Sequence, residues 1–85
     1  MNHIEMYTTA ICPYCIAAKN FLARKGLTVE EIRVDIDASR RTEMIEKTRR
    51  MTVPQIFVNG HHVGGYDDLV ALDRKGGLGP LLNQG

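Results

Sequence analysis

Cys12-Pro13-Tyr14-Cys15 is the segment of this chain whose residue types and spacing can do chemistry, and its two cysteines are the only ones in the sequence. A disulfide stabilises a fold mainly by removing entropy from the unfolded chain, and that gain grows with the loop closed, so a bridge across so short a loop is a poor staple. A Cys-x-x-Cys pair where a strand runs into a helix reads instead as a redox dithiol. At the cap of a helix, Cys12 meets backbone N–H groups and the positive end of the helix dipole, which favour thiolate over thiol and make it the attacking sulfur. Cys15 falls one helical turn later, more buried and less ionised, close enough to attack a mixed disulfide formed on Cys12. The competing readings are half of a zinc site and a pair of inert buried thiols. Tetrahedral zinc needs four ligands, and the further candidates are His3, His61 and His62. Neighbours on a strand point to opposite faces, so His61 and His62 cannot both join. The histidines therefore read as solvated or locally hydrogen-bonded residues, and no metal is expected.

The elements around the pair follow from periodicity. Residues 4–8 alternate and carry β-formers, which predicts a strand ending just before Cys12. Cys15, Ala18, Phe21 and Leu22 recur at helical spacing, with Pro13 suited to the first helical position and Gly26 to the C-terminal cap, so a helix is predicted over about 13–25. Residues 29–34 alternate again, closed by Asp35 and Asp37, and strand, helix, strand implies a right-handed parallel crossover. Ser39 is expected to cap a second helix running to Arg50, with Met44, Ile45 and Thr48 on its inner face. Its Arg40, Arg41, Glu43, Glu46 and Lys47 face water.

Gln55-Ile56-Phe57-Val58, Asn59-Gly60 and His61-His62-Val63 form a hairpin signal, because Asn-Gly tolerates the positive φ angles of a type I′ turn. Gly64-Gly65 breaks the second hairpin strand. A third helix starts at Tyr66, carries Asp67 and Asp68 in its first turn where acids suit the dipole, and ends at Gly76-Gly77. Residues 78–82 form one short turn, and residues 83–85 are expected to fray. The order βαβ, helix, ββ, helix makes an α/β fold, a mixed four-stranded sheet with helices on both faces in the thioredoxin-like arrangement.

Composition bounds the rest. A chain of 85 residues holds one domain over 1–85, and 44% hydrophobic with 25% charged residues excludes a disordered or fibrous protein. Eleven basic against ten acidic residues leave no field to draw nucleic acid or an anionic membrane. The N-terminal residues show no basic start or apolar stretch, and nothing approaches the length that spans a bilayer, so a cytoplasmic protein is expected.

With Cys12-Pro13-Tyr14-Cys15 at a βα junction, Thr52-Val53-Pro54 some forty residues on, and Gly64-Gly65-Tyr66-Asp67-Asp68 beyond it, the sequence resembles the dithiol glutaredoxins over nearly its whole length. The resemblance implies thiol–disulfide exchange at Cys12 and Cys15, with glutathione as reducing co-substrate and no flavin, metal or other bound cofactor. It implies that Pro54 is cis and that the Val53 backbone pairs in antiparallel fashion with the cysteine of glutathione. Thr52 stands beside them. Gly65, Tyr66, Asp67 and Asp68 match the site for the γ-glutamyl end, where backbone N–H groups take the α-carboxylate and Asp68, with Asp67, takes the ammonium. On their own terms both acids also read as helix caps. Tyr14 and Gln55 resemble residues that line the groove, and Arg50 a partner for the glycyl carboxylate, whereas Arg40, Arg41 and Arg49 read as a solvated face.

The implied partners are disulfide-containing or glutathionylated proteins, ribonucleotide reductase among the candidates, acted on by a monomer. Two other functions are compatible with the fold: a redoxin recharged by thioredoxin reductase, and an iron–sulfur carrier in which two chains and two glutathiones hold a cluster on Cys12. Carriers of that kind have a single cysteine followed by Gly-Phe-Ser, which Pro13-Tyr14-Cys15 does not match. One departure concerns charge. Thr9 stands where many glutaredoxins have a lysine, and Ile11 precedes Cys12, so the helix dipole must favour the thiolate without that cation.

Overall fold

In the computed structural model, which describes residues 3–83, strand β1 (Ile4–Thr8) leads into helix α1 (Pro13–Arg24) and the chain returns through β2 (Val29–Arg33). Helix α2 (Ala38–Thr48) follows, then the hairpin of β3 (Gln55–Val58) and β4 (His61–Gly64), helix α3 (Tyr66–Arg74) and a last short helix α4 (Leu78–Leu82). The sheet order is β2-β1-β3-β4, with β1 parallel to β2 and antiparallel to β3. Asn59 and Gly60 both take positive φ, 51° and 82°, as the predicted type I′ turn requires.

The two sheet faces carry separate apolar clusters. Ile4, Met6, Ile56 and Val58 pack with Ala18 and Leu22 of α1, Leu69 of α3 and Leu78 of α4. Tyr7, Ile32, Val34 and Phe57 pack on the opposite face against Met44 of α2. Because β1 is central it is buried on both faces, so its alternation separates two cores rather than core from solvent. The edge strand β2 shows charge instead, with Glu30 and Glu31 exposed, which discourages edge-to-edge pairing.

Helix α2 departs from the expected boundaries. Its N-cap is Asp37, whose carboxylate accepts from the amides of Ser39 at 3.0 Å and Arg40 at 3.4 Å, while the Ser39 hydroxyl donates to the same oxygen. The carboxylate outcompetes the hydroxyl because it can accept several bonds at once. At the other end the helix stops at Thr48 and not Arg50, since Arg49 turns left-handed at φ 60° and the Thr48 hydroxyl takes the Arg50 amide at 3.0 Å. Asn83 is bonded where fraying was expected, its amide donating to Gly79 at 3.0 Å; Gln84 and Gly85, like Met1 and Asn2, lie outside the described residues.

Asn59 ties two distant segments together: its amide and the His3 carbonyl pair at 2.8 Å, its Oδ1 accepts from the His3 amide at 2.8 Å, and its Nδ2 donates to the Leu81 carbonyl at 2.9 Å.

A polar contact to Tyr7 helps pin helix α2 to the sheet. The buried Tyr7 hydroxyl donates to Glu43 at 2.5 Å, and Arg40 donates to both carboxylate oxygens at 3.0 and 3.2 Å. The Tyr7 bond first, then the charges of Arg40 and Lys47, hold the Glu43 carboxyl below the usual carboxylate range, while burial and Glu43 push the Tyr7 hydroxyl up. A carboxyl depressed in the folded state stabilises fully above its unfolded pKa of about 4.3 and loses that stabilisation as pH falls through the folded value. Glu43→Gln should thus be less stable at neutral pH and lose stability less steeply on acidification, as read from urea midpoints between about pH 6 and 2. Asp35, Asp37 and Asp68 are depressed as well, so the slope should lessen and not vanish. Parallel curves for the two proteins would contradict the assignment.

Candidate active site

Cys12 is the N-cap of α1, in extended conformation, with Pro13 opening the helix. In this structure its sulfur is bonded to that of Cys15, with α-carbons 5.2 Å apart. The Cys15 amide donates to Cys12 Sγ at 3.1 Å, a contact that stabilises negative charge on this sulfur. Cys12 retains 7% exposure and Cys15 2%, so Cys12 is the more accessible of the two. The loop before Cys12 is tethered: the Ala10 amide donates to Asp35 at 3.1 Å, and Asp35 is held by Arg33 through two bonds of 2.7 Å. Arg33 is also the first cause of the depressed Asp35 carboxyl, so that acid stays an anion and the tether persists over the working pH range.

Across from the dithiol, the Val53–Pro54 peptide is cis. The Val53 carbonyl oxygen lies 3.8 Å from Cys12 Sγ. From there a cleft of about 230 Å³ runs to the N-terminus of α3, lined by Tyr14, Arg50, Thr52, Val53, Pro54, Gln55, Gly65, Tyr66, Asp67 and Asp68. The eight residues expected from the motifs to contact glutathione all line this cleft: Tyr14, Thr52, Val53, Pro54, Gly65, Tyr66, Asp67 and Asp68. The Tyr14 and Tyr66 rings face one another with centroids 6.1 Å apart, joining the starts of α1 and α3.

Asp68 serves two purposes. Its Oδ2 accepts the Gly65 amide at 2.9 Å, capping α3 where the N-cap glycine has no side chain to do so, and it meets Arg50 Nη1 at 3.0 Å. Those two contacts, the amide first, hold its carboxyl below the usual range. Arg50, expected as a partner for the glycyl carboxylate, stands beside Asp68, its Nη1 3.0 Å from Asp68 Oδ2. A pairing of residues so far apart in sequence leaves no local signal.

Of the histidines, His61 is exposed and His3 lies 3.6 Å from Glu5, while His62 bonds to Gln55 and stacks on Phe57. Gln55, expected to line the groove, does so, and at 1% exposure it forms the floor. Two large hydrophobic side chains flanking or within the Cys12–Cys15 segment are exposed, Ile11 at 92% and Tyr14 at 62%.

The model of the family described as Glutaredoxin matches residues 4–63. The chain belongs to the glutaredoxin family. Glutaredoxin 3 of Escherichia coli K12 is 51% identical over 82 residues, covering 96% of this chain and 99% of the relative. Among solved structures, the solution structure of a glutaredoxin from Brucella melitensis superposes with a TM-score of 0.81 at 48% identity, covering 94% of this chain and 87% of that one. A crystal structure of a buckwheat glutaredoxin–glutathione complex superposes with a TM-score of 0.88 at 27% identity, over 98% of this chain and 78% of the other. The sheet order seen here is therefore the thioredoxin-like fold of the family. In this glutaredoxin Arg50 is the one cation among the described residues that line the cleft, and neither Thr9 nor Ile11 is part of that lining.

Proposed function

We propose that this glutaredoxin reduces protein disulfides and glutathione mixed disulfides with electrons from glutathione, using Cys12 as nucleophile and Cys15 as resolving thiol. With a glutathionylated thiol, the Cys12 thiolate attacks the glutathione sulfur and the substrate leaves as a thiolate; a second glutathione then attacks the adduct on Cys12 and departs as oxidised glutathione. With a protein disulfide, Cys12 attacks one sulfur, Cys15 attacks the mixed disulfide, and the substrate leaves as a dithiol while the Cys12–Cys15 bond forms. Two glutathiones return that bond to the dithiol.

The observation that carries this reading is an alignment: the Cys12 sulfur, the Val53 main chain 3.8 Å from it, and a cleft that runs from Val53 to the N-terminus of α3. An extended tripeptide with its sulfur at Cys12 would pair its cysteine with Val53 and lay its γ-glutamyl carboxylate on the free amides of α3, as helix N-termini bind anions. The α-ammonium would meet Asp68, already an anion. The buckwheat neighbour, solved with glutathione, has the same overall fold. Disulfide-bearing proteins, ribonucleotide reductase among them, are the protein substrates we expect. A cytoplasmic location and action as a monomer complete the proposed reading; no described helix is long and apolar enough to cross a membrane.

Glutathione-coupled turnover of a glutathionylated peptide with glutathione reductase and NADPH tests the reading directly. Turnover with thioredoxin reductase alone, and none with glutathione, would overturn it. Within the same assay Asp68→Ala should raise KM for the glutathionylated substrate about five-fold, a charge-assisted contact discounted for its solvent exposure. An unchanged KM would leave Asp68 as a helix cap only.

A further inference from the structure

The floor of the cleft is held by a chain of hydrogen bonds that begins outside it, on the edge strand β4. Gln55 Nε2 lies 3.0 Å from the Thr52 carbonyl oxygen and 3.3 Å from the Thr52 hydroxyl. A carbonyl oxygen only accepts, so the amide nitrogen must face Thr52 and the amide oxygen must face the other way. There it meets His62 Nε2 at 2.8 Å. The Gln55 oxygen only accepts in turn, so His62 must carry its proton on Nε2. Every donor in the chain therefore points from β4 towards the cleft.

The imidazole is held in the plane this needs. Its ring stacks on Phe57, centroids 5.0 Å apart and planes 29° apart, and Phe57 packs edge-on against Tyr7 at 5.9 Å. Gln55 is nearly sealed from water, so its amide cannot replace His62 with solvent at little cost. Thr52, which it grips by both oxygens, is the residue before Val53, whose carbonyl lies 3.8 Å from Cys12 Sγ.

We propose that His62 is a positioning residue for the reaction: through Gln55 it fixes Thr52 and so sets the Val53 main chain at the height where the substrate's cysteine pairs with it. The proposal rests on the function inferred above for the cleft. It predicts a loss expressed in binding, because the reacting sulfurs themselves are untouched.

Three measurements test it. In wild type, imidazole nitrogen shifts above the histidine titration should report the Nε2–H tautomer for His62; an Nδ1–H tautomer overturns the proposal. His62→Phe keeps the stack on Phe57 without the donor, whereas His62→Gln restores an N–H near the Nε2 position. His62→Phe should shift the Gln55 side-chain amide and the Thr52 and Val53 backbone amides in the free protein, and His62→Gln should return them towards wild type. In turnover of a glutathionylated peptide, His62→Phe should raise KM about three- to ten-fold at little-changed kcat, as the loss of one buried hydrogen bond implies, and His62→Gln should recover most of it. Unmoved Thr52 and Val53 resonances, a lower kcat at unchanged KM, or a glutamine variant no better than phenylalanine would each overturn it. A wild type inactive on the glutathionylated peptide would fail the function itself, and the spectra of the free protein would still decide whether His62 positions Thr52.

Discussion

Cys15→Ser should keep removing glutathione from a glutathionylated thiol while its turnover of protein disulfides falls on the order of a thousand-fold. The first reaction needs the Cys12 thiolate and a glutathione from solution. The second traps the enzyme as a mixed disulfide unless a neighbouring thiol attacks, and Cys15, with its α-carbon 5.2 Å from that of Cys12, supplies one at an effective concentration no free thiol reaches. Cys12→Ser should lose both reactions, because Cys15 is almost fully buried and cannot meet an outside disulfide. Initial rates on a glutathionylated peptide and on a disulfide-bonded protein, measured in parallel, separate the roles. Wild-type rates on the protein disulfide for Cys15→Ser, or retained deglutathionylation for Cys12→Ser, would reverse the assignment.

Gly64→Ala should strike both stability and substrate binding. Gly64 adopts φ +118°, a conformation that costs a residue with a β-carbon about 1–3 kcal/mol. The added carbon would also sit 2.8 Å from the Asp68 carboxyl carbon and 2.9 Å from its β-carbon, so Asp68 must give way. That movement breaks the bonds to the Gly65 amide and to Arg50 together. Gly60→Ala is the control, since Gly60 has φ +82° yet open space around its β-position. Both variants should melt earlier, and only Gly64→Ala should raise KM for a glutathionylated substrate, by several-fold as for Asp68→Ala. Equal KM values in two folded variants would remove the link between the Gly64 backbone and the cleft.

The strand-to-helix junction at Cys12, the Asn59-Gly60 turn and the Gly64-Gly65 break were legible because each rests on a residue type with one dominant local role. Eight of the ten residues that line the cleft were legible for another reason, since three short motifs in fixed order match a family. What stayed hidden was decided by competition or distance. Asp37 and Ser39 are both capable caps two residues apart, and only the folded geometry shows the carboxylate taking the amides. Arg49 in the left-handed region contradicts its propensity, so the end of α2 lies before the residue that pattern alone suggests. The pairs Tyr7 with Glu43, Arg50 with Asp68, and Gln55 with His62 join separate elements, and no window along the chain contains the two partners of the first two.

Asn59 holds His3 on one side and Leu81 on the other, so the first and last described segments meet at one pole of the sheet. Strand β1 carries the chain from that pole, where Ile4 pairs with Val58, to Thr8 near the dithiol, about 13 Å away at the rise of an extended strand. A linker that leaves the fold beside His3 or Leu81, whether to a fusion partner, a fluorescent reporter or a surface, therefore starts from the side opposite the dithiol. A glutaredoxin tethered in this way presents its reactive sulfur outward, which suits it to immobilisation on an electrode or to serving as the redox-relay half of a two-protein sensor.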